Sequence, residues 1–197
     1  MNVSRETHDL LGKYTRIATQ WNARINLFGP QEIGRFFDRH VSDGLRLAKC
    51  SNCPSRWVDM GSGGGIPGVV VAIMLRSEPT EVILVERDRR KAAFLRNVQR
   101  ELGLRMRVLM ADIADALPLN ADVVSARALG SLDRLLPWIN RHMTDDGAAY
   151  LLKGLRWRDE VASARETWSF DLDVIDTASN EAGPILKIRR VQRGSGS

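Results

Sequence analysis

The chain has 197 residues, and its 29 Lys and Arg exceed its 24 Asp and Glu by five. Hydrophobic residues make up 44% and charged residues 27%, which is typical of a globular domain and excludes disordered, collagenous and fibrous proteins. No apolar run approaches the roughly 18 residues of a membrane-spanning helix, and residues 1–6 lack the apolar core of a signal peptide. We therefore expect one cytoplasmic protein domain without a membrane segment.

Apolar residues at helical spacing predict two helices, over residues 10–25 and 33–45. We therefore expect residues 1–50 to form a small helical lobe that packs on the rest of the chain. After this lobe, short β-branched runs alternate with helical patterns, which is typical of a parallel α/β sheet. Residues 51–193 are expected to form the main domain, and residues 194–197 a flexible tail.

The sheet is expected to consist of five parallel strands and a closing strand pair. Strands are predicted at 57–60, 81–86, 107–110, 122–126, 147–153, 172–176 and 185–191, and helices between them at 69–75, 94–102, 132–139 and 161–168. Residues 69–75 also fit a strand, but their position after a glycine turn favours a buried helix. A closing pair with no helix between its strands is similar to the Rossmann-like sheet of class I methyltransferases, which is mostly parallel with one antiparallel strand.

A glycine-rich loop, DMGSGGG at residues 59–65, directly follows the first predicted strand. Gly61, Gly63 and Gly65 tolerate positive φ and allow a ligand to lie against the backbone. Glu86 closes the second strand, where a carboxylate can accept hydrogen bonds from both hydroxyls of a ribose. This order of strand, loop, helix, strand and acid predicts a bound nucleoside. The structural alternative is a plain βα turn with a surface glutamate.

The loop alone does not choose the ligand, because residues 63–68 also fit the dinucleotide pattern G-x-G-x-x-G. A dinucleotide carries a pyrophosphate, which needs the helix N-terminus as an anion site. S-adenosylmethionine carries an ammonium group instead, and Asp59 at the end of the first strand is placed for it. Asp112 follows the third strand, where it is expected to lie near the adenine of the cofactor. The structural alternative for Asp112 is a solvated loop acid or a helix cap. These acids favour S-adenosylmethionine, and a nicotinamide-dependent oxidoreductase is the rival.

Two basic clusters indicate a polyanion partner. Residues 86–107 contain eight Arg and Lys against three acids, and residues 187–193 contain four without an acid. Arg89, Arg96 and Arg100 share the face of the predicted helix opposite its apolar residues, so they are candidate RNA contacts. The alternatives are a solvated helix face with a basic tail, or an RNA-binding protein without catalysis.

No metal is expected. The two cysteines, Cys50 and Cys53, lie three residues apart, and the three histidines show no ligand spacing relative to them. A structural zinc site needs about four ligands. The cysteines are therefore interpreted as ordinary reduced thiols.

Several longer motifs resemble the ribosomal RNA small subunit methyltransferase G family, also called glucose-inhibited division protein B. The similarity runs nearly end to end and rests on residues 21–27, 39–43, 58–68, 91–95, 125–128 and 152–154. It implies a class I S-adenosylmethionine-dependent methyltransferase fold. It also implies methyl transfer to N7 of one guanosine in the decoding-region loop of 16S ribosomal RNA, as naked RNA or within a small-subunit particle. The protein is expected to act as a monomer.

The same resemblance implies roles for individual residues. Gly61, Ile66, Ile113 and Ala114 are expected to contact the cofactor, the last two through backbone groups, and Arg127 is expected at the boundary between cofactor and substrate. Lys153 is expected to face the RNA. Arg127 and Lys153 are thus the candidate catalytic residues, because both follow strands at the carboxyl edge of the sheet. The structural alternatives are an Arg127 ion pair with Asp59 or Glu86 and a solvated Lys153.

Overall fold

The computed structural model describes residues 3–29, 40–51, 53–175 and 183–194. Within these ranges the chain forms six helices and seven strands. The helices are α1 (Arg5–Ile25), α2 (Ser42–Ala48), α3 (Gly68–Met74), α4 (Arg89–Leu102), α5 (Leu132–His142) and α6 (Trp157–Ala164). The strands are β1 (Arg56–Met60), β2 (Glu81–Val85), β3 (Met106–Leu109), β4 (Ala121–Arg127), β5 (Met143–Leu152), β6 (Trp168–Ile175) and β7 (Ile185–Arg193).

The seven strands form one sheet in the order β3-β2-β1-β4-β5-β7-β6. Neighbours from β3 to β5 are parallel, whereas β7 runs antiparallel to both β5 and β6. The predicted sheet, mostly parallel with an antiparallel closing strand, is confirmed. The strand order reverses between β1 and β4, and such a reversal opens a crevice at the carboxyl ends of the strands.

Apolar side chains cover both faces of the sheet in two separate clusters. Successive residues of a strand point to opposite faces, so Trp57 belongs to one cluster and its neighbour Val58 to the other. The first cluster packs α1, α2, α3 and α4 against the sheet. The second cluster packs α5 and α6 against the opposite face. Across the described residues, no helix combines the length and the apolar character that crossing a membrane requires.

The first predicted helix is confirmed as α1, which begins earlier than expected because the Ser4 hydroxyl caps it by accepting a hydrogen bond from the Thr7 amide. Buried Leu11, Tyr14 and Ala18 of this helix share one cluster with the side chains of α3. Helix α1 is thus part of the main core. The boundary between a lobe over 1–50 and a domain over 51–193 stays a prediction.

The second predicted helix lies only partly in the described chain. Residues 30–39 fall outside the described residues, and α2 covers the end of the predicted span. The run at 69–75 is a helix, α3, as predicted. The prediction that the 161–168 helix includes Trp168 is wrong, because this residue pairs with Arg193 in the β6–β7 ladder.

Candidate functional site

A cavity of about 390 Å³ opens at the carboxyl edge of the sheet. Its volume lies within the range of small-molecule sites, roughly 300–1,000 Å³. Six of the residues predicted from the sequence line it, namely Gly61, Gly63, Glu86, Asp112, Ile113 and Ala114. The tertiary structure therefore brings the glycine loop, the acid after β2 and the loop after β3 to one place.

The glycine loop, defined here as residues 61–65, has a backbone that only glycine adopts readily. Gly61, Gly63 and Gly65 have φ angles of 65°, 54° and 89°. A Cβ atom on Gly61 would lie 2.4 Å from a methyl carbon of Leu129, another cavity-lining residue. Gly65 and Ile66 lie outside the cavity lining, and the Ile66 side chain packs into the first apolar cluster.

Glu86 connects the glycine loop to the end of β2. Its carboxylate accepts hydrogen bonds from the amides of Gly63 and Asp88, each 2.7 Å long. The residue is 7% exposed. Glu86 also lines the cavity. Glu86 thus shapes the loop, and its contact with ribose hydroxyls stays a prediction.

Asp59 lies beneath the glycine loop and is 0% exposed. One carboxylate oxygen accepts a hydrogen bond from the Ser125 hydroxyl over 2.7 Å, and the other accepts from the Gly68 amide over 3.2 Å. Burial raises the pKa of Asp59 to about 6. Asp59 is not among the residues lining the cavity, so its predicted contact with a cofactor ammonium stays a prediction.

The wall formed by the loop after β3 is held by two neighbouring side chains. Asp112 accepts a hydrogen bond from the Ala114 amide over 3.0 Å and pairs with Arg87 over 3.1 Å. The buried His142 donates from Nε2 to the Ile113 carbonyl over 2.8 Å. Burial lowers the pKa of His142, which favours its neutral form. The sequence does not predict this role for His142, because the residue pattern of α5 does not show that the end of the helix contacts Ile113.

Arg127 reaches the segment that precedes and begins α2. It donates to Nδ1 of His40 over 2.5 Å and lies 3.5 Å from the carboxylate of Asp43. His40 is therefore a hydrogen-bonded structural residue. The Arg127 side chain is outside the cavity lining, but Ala128, the next residue, is part of it. The role of Arg127 at the cofactor–substrate boundary stays a prediction.

Lys153 is a buried residue, neither solvated nor directed outward. Its side chain is 6% exposed, and its ammonium lies 2.6 Å from a carboxylate oxygen of Glu160. The ammonium also donates to the Gly130 carbonyl over 2.8 Å. The same Glu160 oxygen accepts from the Leu132 amide at the start of α5 over 2.9 Å. Lys153 and Glu160 thus anchor the turn between β4 and α5, and the expected contact of Lys153 with RNA stays a prediction.

The outer rim of the cavity consists of residues that were not predicted as site residues. Arg134 and Trp138 of α5 line the cavity, together with Arg87, Lys91 and Leu129. The Arg134 guanidinium lies 5.7 Å from the centroid of the Trp138 ring. The i, i+4 spacing of Arg134 and Trp138 places them on one helix face. The apolar residues of α5, on which the sequence prediction rests, do not indicate this pair.

The basic residues differ in how far acids neutralise them. Arg89 and Arg96 are exposed on α4 and make no ion pair within the described chain, and exposed Arg100 pairs only with its neighbour Glu101. The cluster at 187–193 faces acids of β6 instead, because Arg189 pairs with Asp173 and Arg190 with Asp171. No group of three or more potential metal-ligating side chains occurs in the described residues.

The sheet order and the position of the cavity define the fold of class I S-adenosylmethionine-dependent methyltransferases. The E81Q mutant of MtNAS in complex with S-adenosylmethionine superposes with a TM-score of 0.63 at 16% identity, over 92% of this chain and 72% of that one. The tRNA (m1A58) methyltransferase TrmI from Aquifex aeolicus superposes with a TM-score of 0.59 at 14% identity. This alignment covers 77% of this chain and 69% of TrmI. These similarities establish the fold.

Sequence similarity identifies the family. The sequence model of rRNA small subunit methyltransferase G matches residues 7–183. A curated relative with that name from Ruegeria sp. (strain TM1040) is 40% identical, over 98% of this chain and 95% of the relative. Another, from Paracoccus denitrificans (strain Pd 1222), is 42% identical, over 95% of this chain and 97% of the relative. The chain belongs to the rRNA small subunit methyltransferase G family, as the resemblance predicted.

Removing Lys153 tests its structural role. Lys153→Ala leaves the Glu160 carboxylate without its cation, so we expect the free energy of unfolding to fall by about 3 kcal/mol, the low end for breaking a buried ion pair. Lys13→Ala, on the exposed side of α1, is the matched control and should change it by less than about 0.5 kcal/mol. Chemical denaturation measures both. Unchanged stability of Lys153→Ala would contradict the anchoring role.

The buried Asp59 carboxylate predicts a pH dependence of stability. Its pKa is about 6 in the folded chain against an ordinary 3.8, so the folded state binds more protons between these values. Its contribution to stability therefore falls as the pH rises through 6, by roughly 3 kcal/mol in total. We expect wild type to gain stability relative to Asp59→Asn when the pH drops from about 7.5 to 5. A pH-independent difference in unfolding free energy would contradict this, and the His142 contribution cancels in the comparison.

Proposed function

We propose that this protein transfers a methyl group from S-adenosylmethionine to N7 of one guanosine in the decoding-region loop of 16S ribosomal RNA. The observation that carries the proposal is the cavity in which Glu86 faces the glycine loop at the carboxyl edge of the sheet. Membership of the rRNA small subunit methyltransferase G family supports the RNA substrate.

The described contacts favour S-adenosylmethionine over a dinucleotide. A pyrophosphate would need free amides at the loop and at the start of the following helix. The Gly63 amide already donates to Glu86, and the Gly68 amide donates to the buried Asp59. Two carboxylates therefore occupy the positions that an anionic ligand would use. A sulfonium ligand with an ammonium group is electrostatically compatible with these acids.

The cavity offers separate surfaces to the parts of an adenosine. We assign Glu86 to the ribose hydroxyls and the backbone of Ile113 and Ala114 to the adenine edge. Trp138 supplies a partly buried aromatic surface at the rim, which suits the face of a purine. Asp59 and Ile66 support the loop from below, and Gly65 contributes to its shape as its last residue.

The reaction needs alignment more than proton transfer. The bound cofactor supplies a methyl group on a positively charged sulfur. Guanine N7 has an in-plane lone pair, so no general base is required, and the sulfur becomes neutral as the guanine gains the charge. The protein must hold N7 in line with the methyl group and exclude water, which is catalysis by proximity. Ala128 and Leu129 close the wall where the two ligands meet.

The candidate catalytic residues act on this alignment by different routes. We propose that Arg127, beside Ala128 at the end of β4, lies at the cofactor–substrate boundary and is oriented by His40 and Asp43. Lys153 acts through the turn before α5, because its ammonium binds the Gly130 carbonyl. Neither residue is needed to remove a proton.

The RNA surface is proposed to include Arg89, Arg96 and Arg100 on the exposed face of α4. This helix follows Arg87 and contains Lys91, both of which line the cavity, so its N-terminal end lies at the mouth. Phosphates flanking the target nucleotide can therefore contact α4 while the base enters the cavity. Such a substrate implies action in the cytoplasm, and sedimentation velocity tests the predicted monomer.

Methyl transfer is tested directly with small-subunit particles and with naked 16S ribosomal RNA. We expect one labelled methyl group per RNA, mapped by mass spectrometry to N7 of a decoding-region guanosine, and loss of that modification in cells without the protein. RNA binding without methyl transfer to either substrate would support the non-catalytic alternative.

The cofactor assignment predicts the effect of Gly61→Val. A branched side chain would collide with Leu129 and disfavour the positive φ at this position. We expect calorimetry to show binding of S-adenosylmethionine and its demethylated product to wild type and none to the variant. The control is Gly103→Val at the end of α4, which has a similar positive φ of 61° but no atom within 4 Å of its Cβ position, so it should keep cofactor binding. Tight NADH binding without a response to S-adenosylmethionine would reverse the assignment.

The RNA surface predicts a matched pair of charge variants. Replacing Arg89, Arg96 and Arg100 by Ser should weaken RNA binding and reduce its salt dependence, because counterions are released at each phosphate contact. Affinity for the cofactor should stay unchanged. Arg189→Ser with Arg190→Ser removes two arginines that acids of β6 already neutralise, so it should have little effect. Equal RNA affinities for the triple variant and the parent would contradict this surface.

A further inference from the structure

The glycine loop needs support from outside itself. Three of its residues, Gly61, Gly63 and Gly65, have positive φ, and glycine loses more conformational freedom on ordering than any other residue. A loop of this composition adopts one shape only when surrounding groups hold it. Glu86 holds the Gly63 amide from the side of β2. The Gly64 and Gly65 part is held by residues from the N-terminal end of the chain.

Tyr14 of α1 is one of these residues. Its side chain is fully buried, and its hydroxyl donates a hydrogen bond to the Gly64 carbonyl over 2.5 Å. The hydroxyl also lies 2.9 Å from the position that a Cβ atom on Gly65 would occupy. Burial raises the pKa of Tyr14 well above its ordinary value, so the hydroxyl keeps the proton that it donates.

Phe28 closes against the same part of the loop. A Cβ atom on Gly64 would lie 2.1 Å from Cζ of the Phe28 ring, so the ring packs directly on the Gly64 backbone. The Phe28 amide donates to the Asn22 side chain of α1 over 2.7 Å, and its ring stacks on His40 at 5.3 Å. Phe28 is therefore fixed to α1 on one side and to the Arg127 partner on the other.

We propose that Tyr14 and Phe28 are positioning residues of the cofactor site, acting through the backbone of Gly64. This inference rests on the proposed function, because it assigns a cofactor to the cavity beside the loop. Neither side chain is among those lining the cavity. They select the loop conformation that places Gly61 and Gly63 against the ligand, and so make the N-terminal helix part of the cofactor site.

The test compares two buried tyrosines whose hydroxyls donate hydrogen bonds to different backbone carbonyls. Tyr14→Phe removes the hydrogen bond to Gly64, whereas Tyr150→Phe removes a similar bond to the Cys50 carbonyl, 2.9 Å long and remote from the loop. Tyr150 is 3% exposed, so the two substitutions are matched in burial and in chemistry. Each variant loses one hydrogen bond to a backbone carbonyl, buried for Tyr14 and partly buried for Tyr150, and we expect similar decreases in melting temperature.

The two variants should differ in cofactor binding. For Tyr14→Phe we expect the Kd and the KM for S-adenosylmethionine to rise about fivefold, the equivalent of one lost hydrogen bond, with kcat at saturating cofactor nearly unchanged. For Tyr150→Phe both constants should stay within about twofold of wild type. Unchanged cofactor affinity in Tyr14→Phe, or equal shifts in both variants, would overturn the inference. Wild-type protein that fails to bind S-adenosylmethionine would instead refute the proposed function.

A steric rescue tests Phe28 and does not depend on the Tyr14 variant. Gly64 lies outside the positive-φ region, so a side chain there is limited by the Phe28 ring. We expect Gly64→Ala to weaken cofactor binding by about tenfold or more, an effect of ~1.4 kcal/mol. Adding Phe28→Ala to it makes room for the new methyl group and should recover part of the affinity. Phe28→Ala alone should weaken cofactor binding because the loop loses this packing, and unchanged affinity in Phe28→Ala would contradict the role of Phe28.

Discussion

The carboxylate of Asp59 links the three elements that meet beneath the cavity. Asp59 lies next to the last residue of β1, and its carboxylate accepts hydrogen bonds from the Ser125 hydroxyl of β4 and from the first amide of α3. The Ser125 hydroxyl in turn accepts the indole N–H of Trp57 over 2.9 Å. Burying a carboxylate is unfavourable unless hydrogen bonds compensate it, so this geometry constrains how β1, β4 and α3 meet, and the loop between β1 and α3 follows from it.

The walls of the cavity depend on residues that do not touch its interior. Tyr14 and Phe28 hold the glycine loop, His142 holds the Ile113 carbonyl, and Lys153 with Glu160 holds the turn before α5. Each of these side chains hydrogen-bonds a backbone carbonyl or amide or packs on a backbone segment beside the cavity. The site is thus preorganised by contacts from both faces of the sheet, as alignment catalysis requires.

Net charge alone does not show which basic clusters are neutralised by acids in the folded chain. The whole chain carries a formal charge of +5, and its two basic sequence clusters together exceed this value. In the folded chain, the arginines of β7 lie opposite the acids of β6, whereas those of α4 point to solvent. Within the described chain, Arg89 and Arg96 of α4 make no ion pair, and paired charges such as those of β7 and β6 largely cancel beyond a Debye length.

The sequence by itself determined the order of elements, the parallel sheet with its antiparallel closing strand, and the glycine loop with Glu86. These features rest on local periodicity and on the backbone freedom of glycine, which are properties of short segments. The tertiary structure decided where the polar side chains of the site point. In the folded chain, Lys153 pairs with Glu160 and Asp59 lies beneath the glycine loop. Trp138 of α5 lines the cavity, and Tyr14 of α1 binds the loop. Such contacts join residues far apart in the chain, so no local pattern encodes them.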